Sequence, residues 1–146
     1  MILRIDYKSV APKGFAAMAG LGRYVDECGL DKKLIYLVEL RVSQINGCAY
    51  CVDLHSRELR GEGETAKRID SVVVWRESPF FTPRERAALA WAESVTLIAE
   101  SHAPDDIYEE ARRHFGEKEL VDLTYAIAAM NAWNRLGVSF RQLPSA

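Results

Sequence analysis

From about Gly14 onward, apolar residues recur at spacings of three and four with charged residues between them, and alternation at every second position is almost absent. That period is helical, so the chain is predicted to be all-α. Breakers divide it. A first helix is expected over Phe15–Cys28 ahead of Gly29, and a second from an Asp31 N-cap through Ile45 to Asn46-Gly47. A third begins at or near Cys48 and stops at Gly61 and Gly63, and a fourth covers Glu64–Trp75. Thr82-Pro83, an N-cap followed by proline at the first helical position, opens a fifth that is expected to continue unbroken to about Ser101. Ala103-Pro104-Asp105 opens a shorter helix to Gly116. The last, Glu117–Phe140, is the longest and most apolar, with Leu120, Leu123, Ile127, Met130 and Val138 on one stripe. The expectation is one domain over residues 1–146, a bundle of about six or seven helices without linker or internal repeat.

Composition narrows what such a bundle does. With 49% hydrophobic and 27% charged residues and a net charge of -2, the 146-residue chain has material for a real core. Its mixed charges form no basic stripe, so neither nucleic acid nor an anionic membrane is an expected partner. Arg4, Asp6 and Lys8 interrupt the apolar N-terminal positions, and no later segment is long and uncharged enough to span a bilayer. Three cysteines do not make the paired framework of a secreted disulfide-rich domain, and the expected location is the reducing cytoplasm. The surplus of apolar positions on the last helix has two readings, a contact of a homo-oligomer or simply the central helix of the bundle.

The candidate chemistry lies in "QINGCAYCVDLH", Gln44 to His55. On a helix, Cys48, Cys51 and His55 share one face with Val52 and Leu59. Residues three apart have β-carbons about 5–6 Å from each other, near the span of a disulfide. Reactivity needs thiolate, and a free cysteine with a pKa of about 8.5 is mostly protonated at neutral pH. Two features favour ionisation: the first turn of a helix presents unpaired N–H groups and a positive dipole end, and His55 lies one turn beyond Cys51 as proton handler. Upstream, Tyr36, Glu39 and Ser43 share a face of the preceding helix. Glu39 has two readings: a carboxyl raised toward the range of a proton relay by its apolar neighbours, or an exposed side chain paired with Arg41 or another helix. Cys48, Cys51 and His55 would give zinc three ligands, but no second Cys-x-x-Cys or His-x-x-x-His closes a structural site. Neither metal nor cofactor is expected. Cysteine-protease chemistry needs no second thiol at this spacing, so thiol redox chemistry is the strongest reading.

The segments "LRVSQINGCAYCVDLHSRELR", "WRESPFFTPRERAALAWAESVT" and "NAWNRLGVSFR" resemble the alkylhydroperoxidase D-like branch of the carboxymuconolactone decarboxylase family, over about Asp31 to Arg141. The resemblance implies an all-helical fold assembled as dimers, trimers or hexamers, and reduction of peroxides with electrons returned by a dithiol partner such as a lipoylated or thioredoxin-like protein. It implies Cys51 as the thiol that becomes a sulfenic acid, Cys48 as the thiol that resolves it, and His55 as the relay. One departure stands out. The family's relay glutamate lies twelve positions before the first cysteine, which here is Tyr36, whereas Glu39 is nine before. One helical turn separates the two, so Glu39 keeps the face, alone or together with Tyr36. Family decarboxylases act by proton transfer and generally lack the cysteine pair. That acid–base activity, or a disulfide sensor without turnover, is the alternative.

Other polar and aromatic residues carry bland expectations. Cys28, next to Gly29, is expected to be a passive thiol, and His102 and His114 to cap helix ends. Trp133, Asn134 and Arg135 have two readings, lining the pocket or packing with an embedded hydrogen-bond pair, the second preferred, and Trp75, Trp91, Phe80 and Phe81 are expected to be core or interface aromatics.

Overall fold

The computed structural model describes residues 1–144, which form helices joined by short turns with no strand among them. In chain order the helices are α1 (Tyr7–Val10), α2 (Pro12–Glu27), α3 (Lys32–Asn46), α4 (Ala49–Gly61), α5 (Ala66–Ser71), α6 (Pro83–Thr96), α7 (Ile98–Ser101), α8 (Asp105–His114) and α9 (Glu117–Phe140). The all-α expectation holds. The first helix starts at Pro12 rather than Phe15, because proline is well suited to a position whose N–H would be unpaired anyway. Short α1 precedes it, capped by the Asp6 carboxylate, which accepts from the Lys8 N–H.

α3 organises the bundle and packs against α4, α6 and α9. Its Asp31 cap accepts from the Leu34 N–H at 3.3 Å, as the sequence predicts. Leu34, Ile35, Leu37, Val38, Leu40, Val42 and Ser43 are all buried, so this helix is apolar on nearly every side. Val38 and Val42 enter the main core with residues of α2, α6 and α9, while Leu37 and Leu40 enter a second core with Leu59, Ile69, Val72, Trp75, Phe81 and Leu89.

Two predicted helices break. The expected fourth becomes α5 and then a 3-10 turn over Val72–Val74, where only Val72 is buried and three consecutive β-branched residues disfavour a continued α-helix. The expected fifth stops at Thr96. Leu97 takes ψ 34°, and the Ser101 hydroxyl donates to the Ser94 carbonyl at 2.6 Å, giving it a partner outside the helical ladder. His102 and Ala103, both at positive φ, then turn the chain into α8. On α9, Leu120, Leu123, Ile127 and Met130 are buried as expected, but Val138 is 46% exposed. The buried line continues instead through Asn134 and Gly137, because successive steps of three and four lead to 134 and 137.

One polar knot ties the second core together. The Glu93 carboxylate of α6 accepts from Arg41 Nε of α3 at 2.9 Å, from Trp75 Nε1 at 2.8 Å, and from Arg76. Arg41 is therefore committed to Glu93 and does not pair with Glu39. Replacing Glu93 with alanine would leave a largely buried guanidinium and an indole N–H without their acceptor, and is expected to cost about 3 kcal/mol. Urea unfolding of wild type and Glu93→Ala checks this; a loss below about 1 kcal/mol would mean the knot contributes little.

Candidate active site

The site begins where α3 ends. Gly47 adopts φ 67°, the left-handed conformation that glycine enters without steric penalty, and its N–H closes α3 against the Ser43 and Gln44 carbonyls. Cys48 is next, extended, and becomes the N-cap of α4. Asn-Gly therefore ends one helix, and the cysteine itself starts the next. The Cys51 N–H donates to Cys48 Sγ at 3.3 Å, so the first thiol sits at the positive end of α4 as the spacing predicts. The two sulfurs are joined in a disulfide, with Cα atoms 5.3 Å apart.

α9 holds this turn from behind. Asn46 Nδ2 donates to Asn131 Oδ1 at 2.9 Å and to Asn134 Oδ1 at 3.0 Å, and Asn134 Nδ2 donates to Ser43 Oγ at 3.1 Å. Gly137 lets the sulfurs approach the helix backbone: a Cβ there would lie 3.1 Å from Cys48 Sγ and 3.8 Å from Cys51 Sγ. Cys48 is closed in on this side at 1% exposure, whereas Cys51 lines a cavity of about 330 Å³. Tyr7, Phe15, Tyr36, Tyr50, Met130 and Trp133 contribute apolar and aromatic surface to it, with Lys8 on its lining as well. The N-terminal stretch closes part of the wall, since the Arg4 N–H donates to the Phe140 carbonyl at 2.9 Å and the Tyr7 hydroxyl to Gln142 at 2.6 Å.

His55 lies one turn beyond Cys51, buried at 4% exposure. Its Nδ1 is 2.8 Å from Glu58 Oε2 and 3.3 Å from Glu39 Oε2. Its Nε2 is buried with no partner among the described residues. Burial pushes the Glu39 carboxyl up to about 7; the Glu58 and Asp26 charges push in the same direction, and His55 opposes them. The Tyr36 phenol is raised as well, mainly by burial. Three ligand atoms, one each from Glu39, His55 and Glu58, lie within 4.8 Å of one another. Here Nδ1 sits against both carboxylates, which makes the group a hydrogen-bonded acid–base set.

All five sequence candidates, Cys48, Cys51, His55, Glu39 and Tyr36, meet at this one place. Ser43 does not line the cavity; it serves the Asn134 network behind the turn. Trp133 belongs to the cavity wall rather than to simple packing, Asn134 carries the buried hydrogen bonds, and Arg135 is exposed against Asn131. Cys28 is a free thiol remote in bonding from the site, with its carbonyl accepting from Lys118 Nζ. His102 ends α7 through its backbone N–H, and the His114 ring meets Glu110 rather than a carbonyl. Sequence reasoning missed Glu58 and Gly137. Glu58 was reachable by the same three-residue spacing that joined the cysteines, and Gly137 as a glycine inside an apolar helix.

Comparisons with known proteins place the chain among relatives. The carboxymuconolactone decarboxylase family model matches residues 11–94. The chain is 37% identical over 139 residues to the uncharacterized protein YdfG of Bacillus subtilis, covering 95% of each. It is 44% identical over 68 residues to the alkyl hydroperoxide reductase AhpD of Bradyrhizobium diazoefficiens, a match covering 47% of this chain and 34% of that relative. A crystal structure from Agrobacterium tumefaciens, of a protein of unknown function proposed as an antioxidant defence protein AhpD, superposes with a TM-score of 0.98 at 46% identity, covering 99% of both chains. Sequence and fold are thus AhpD-like.

The Glu39 carboxyl carries a checkable pH signature. Its folded pKa of about 7 lies above the ordinary 4.5, so its favourable contribution is fully present below pH 4.5 and is lost as pH rises through about 7. Glu39→Gln lacks that loss. Relative to wild type it is expected to gain on the order of 2 kcal/mol of stability between pH 5 and pH 8. Urea unfolding of both proteins at the two pH values decides it, and an identical difference at both would mean that Glu39 titrates normally.

Proposed function

The chain belongs to the carboxymuconolactone decarboxylase family, and on that footing we propose that it is a thiol-dependent peroxidase of the alkylhydroperoxidase D type. The observation that carries this reading is the placement of Cys51 on an aromatic-lined cavity, bonded to Cys48 at the start of α4, with His55 one turn along the same helix. In the reduced protein, His55 takes the Cys51 proton and the thiolate attacks the terminal peroxide oxygen. A sulfur–oxygen bond forms as the oxygen–oxygen bond breaks. The departing alkoxide takes the proton back from His55 and leaves as the alcohol, and Cys51 remains a sulfenic acid. Cys48 then displaces water from it to give the disulfide, and an external dithiol, small or on a lipoylated or thioredoxin-like protein, restores both thiols while becoming a disulfide itself.

Glu39 would support His55 as a relay from one turn beyond the position where Tyr36 stands, with Tyr36 beside it on the cavity. The aromatic wall favours an organic hydroperoxide over hydrogen peroxide. The chemistry suits a reducing compartment, and among the described residues no helix is long and apolar enough to cross a membrane. A homo-oligomer, dimer to hexamer, remains part of the proposal, supported by the exposed Tyr108, Val121 and Tyr125 around an apolar groove formed by α6, α8 and α9.

Stopped-flow oxidation of the reduced protein by hydrogen peroxide and by cumene hydroperoxide, with thiols counted afterward, tests the reading. Two thiols should disappear, with Cys51→Ser inert and Cys48→Ser halting at a sulfenic acid. The aromatic hydroperoxide should react at least about ten-fold faster, the scale on which an apolar pocket discriminates. Rates no faster than those of a free thiol would sink the peroxidase and leave a disulfide sensor or a family acid–base activity. Light scattering checks the assembly, and a monomer would remove that part.

A further inference from the structure

His55 offers one nitrogen, Nδ1, to two carboxylates, and a single N–H makes one strong hydrogen bond. Glu58 Oε2 is the nearer at 2.8 Å, against 3.3 Å for Glu39. Glu58 also keeps partial access to solvent at 34% side-chain exposure, whereas the Glu39 side chain is at 13%. The shorter contact, the one within ordinary hydrogen-bond range, makes Glu58 the better fixed acceptor. At the other end of the ring, Nε2 is buried without a partner. A buried N–H left unpaired is rarer than an acceptor left unpaired, so the economical tautomer of the neutral ring carries its proton on Nδ1 and leaves Nε2 bare.

We propose that Glu58 is the positioning residue of the site: it holds the His55 proton on Nδ1, so that Nε2 is the base that meets the Cys51 proton, and it frees Glu39 to carry a proton of its own. The inference rests on the thiol reading of the site and adds to it a division of labour between the two carboxylates. The charged and titratable groups around the pair are few. Glu58, Tyr50 and Cys51 belong to α4, Glu39 and Tyr36 to α3, Asp26 to α2 and Tyr7 and Lys8 to α1, while α9 lines the cavity with Met130, Trp133, Ala129 and Gly137, none of which titrates. Among the described residues, no cation other than His55 is paired with Glu39 or Glu58. Glu58 meets the site through its hydrogen bond to the imidazole, at the rim of the same cavity.

Long-range proton–nitrogen NMR of the ¹⁵N-labelled reduced protein at pH 8 reports the tautomer of each histidine, and His55→Gln assigns the signal against His102 and His114. Wild type and Glu39→Gln should show His55 protonated on Nδ1. Glu58→Ala should shift it to a mixture or to Nε2, and Glu58→Gln, which keeps an acceptor oxygen, should restore Nδ1. Alongside, the rate of Cys51 alkylation by iodoacetamide at pH 7 should fall about ten-fold in Glu58→Ala, a modest share of what a positioned base supplies, and much less in Glu39→Gln. An unchanged tautomer in Glu58→Ala, or its loss in Glu39→Gln instead, would overturn the assignment. Neither readout uses a peroxide, so the peroxidase reading can fail while this one stands, and the reverse.

Discussion

The left-handed turn at Gly47, pinned to α9 through Asn46, is the constraint from which the rest of the site follows. Asn46 spends both amide protons on Asn131 and Asn134, and Asn134 returns a bond to Ser43, so the last turn of α3 cannot drift relative to α9. α4 must then start at Cys48, which places the sulfur of that residue on the free N–H of Cys51 and puts His55 one turn deeper. Gly137 completes the constraint from the other side, because a Cβ there would crowd Cys48 Sγ at 3.1 Å. A few polar contacts at one helix junction thus decide which thiol is sealed and which faces the cavity.

Burial is what gives this junction its chemistry. α3 is enclosed on nearly all sides, and Glu39 is the acidic residue it brings into that setting beside His55. The cost of placing a carboxylate there is carried as a pKa near neutrality. The stabilising work is done elsewhere, in the two apolar cores flanking α3 and in the Glu93 knot that fastens α3 to α6. Separation of the two roles lets the site hold buried, imperfectly satisfied groups such as His55 Nε2 without threatening the fold.

Much of this was legible along the chain, and the failures have local causes. The Cys48–Cys51–His55 face followed from helical spacing alone, and Glu39 was placed on the correct face although its partner was open between Arg41 and the thiols. Arg41 is two residues from Glu39 and so points elsewhere, toward Glu93. The break at Leu97 depends on a serine hydroxyl seven residues from the carbonyl it serves, a contact no periodicity encodes. Val138 is apolar but out of phase with the buried stripe, which leads to Gly137 instead.

Periodicity, capping residues and short-range spacing are local quantities, and they alone determined an all-α chain with two thiols and a histidine at the start of one helix. Which carboxylate reaches the imidazole, which sulfur opens to the cavity and which glycine makes room for them depend on contacts between residues distant in sequence, such as the Asn134–Ser43 bond across 91 positions. Those choices belong to helix packing, where the position of α9 against the α3–α4 turn is set by the whole core and not by any neighbouring stretch of sequence.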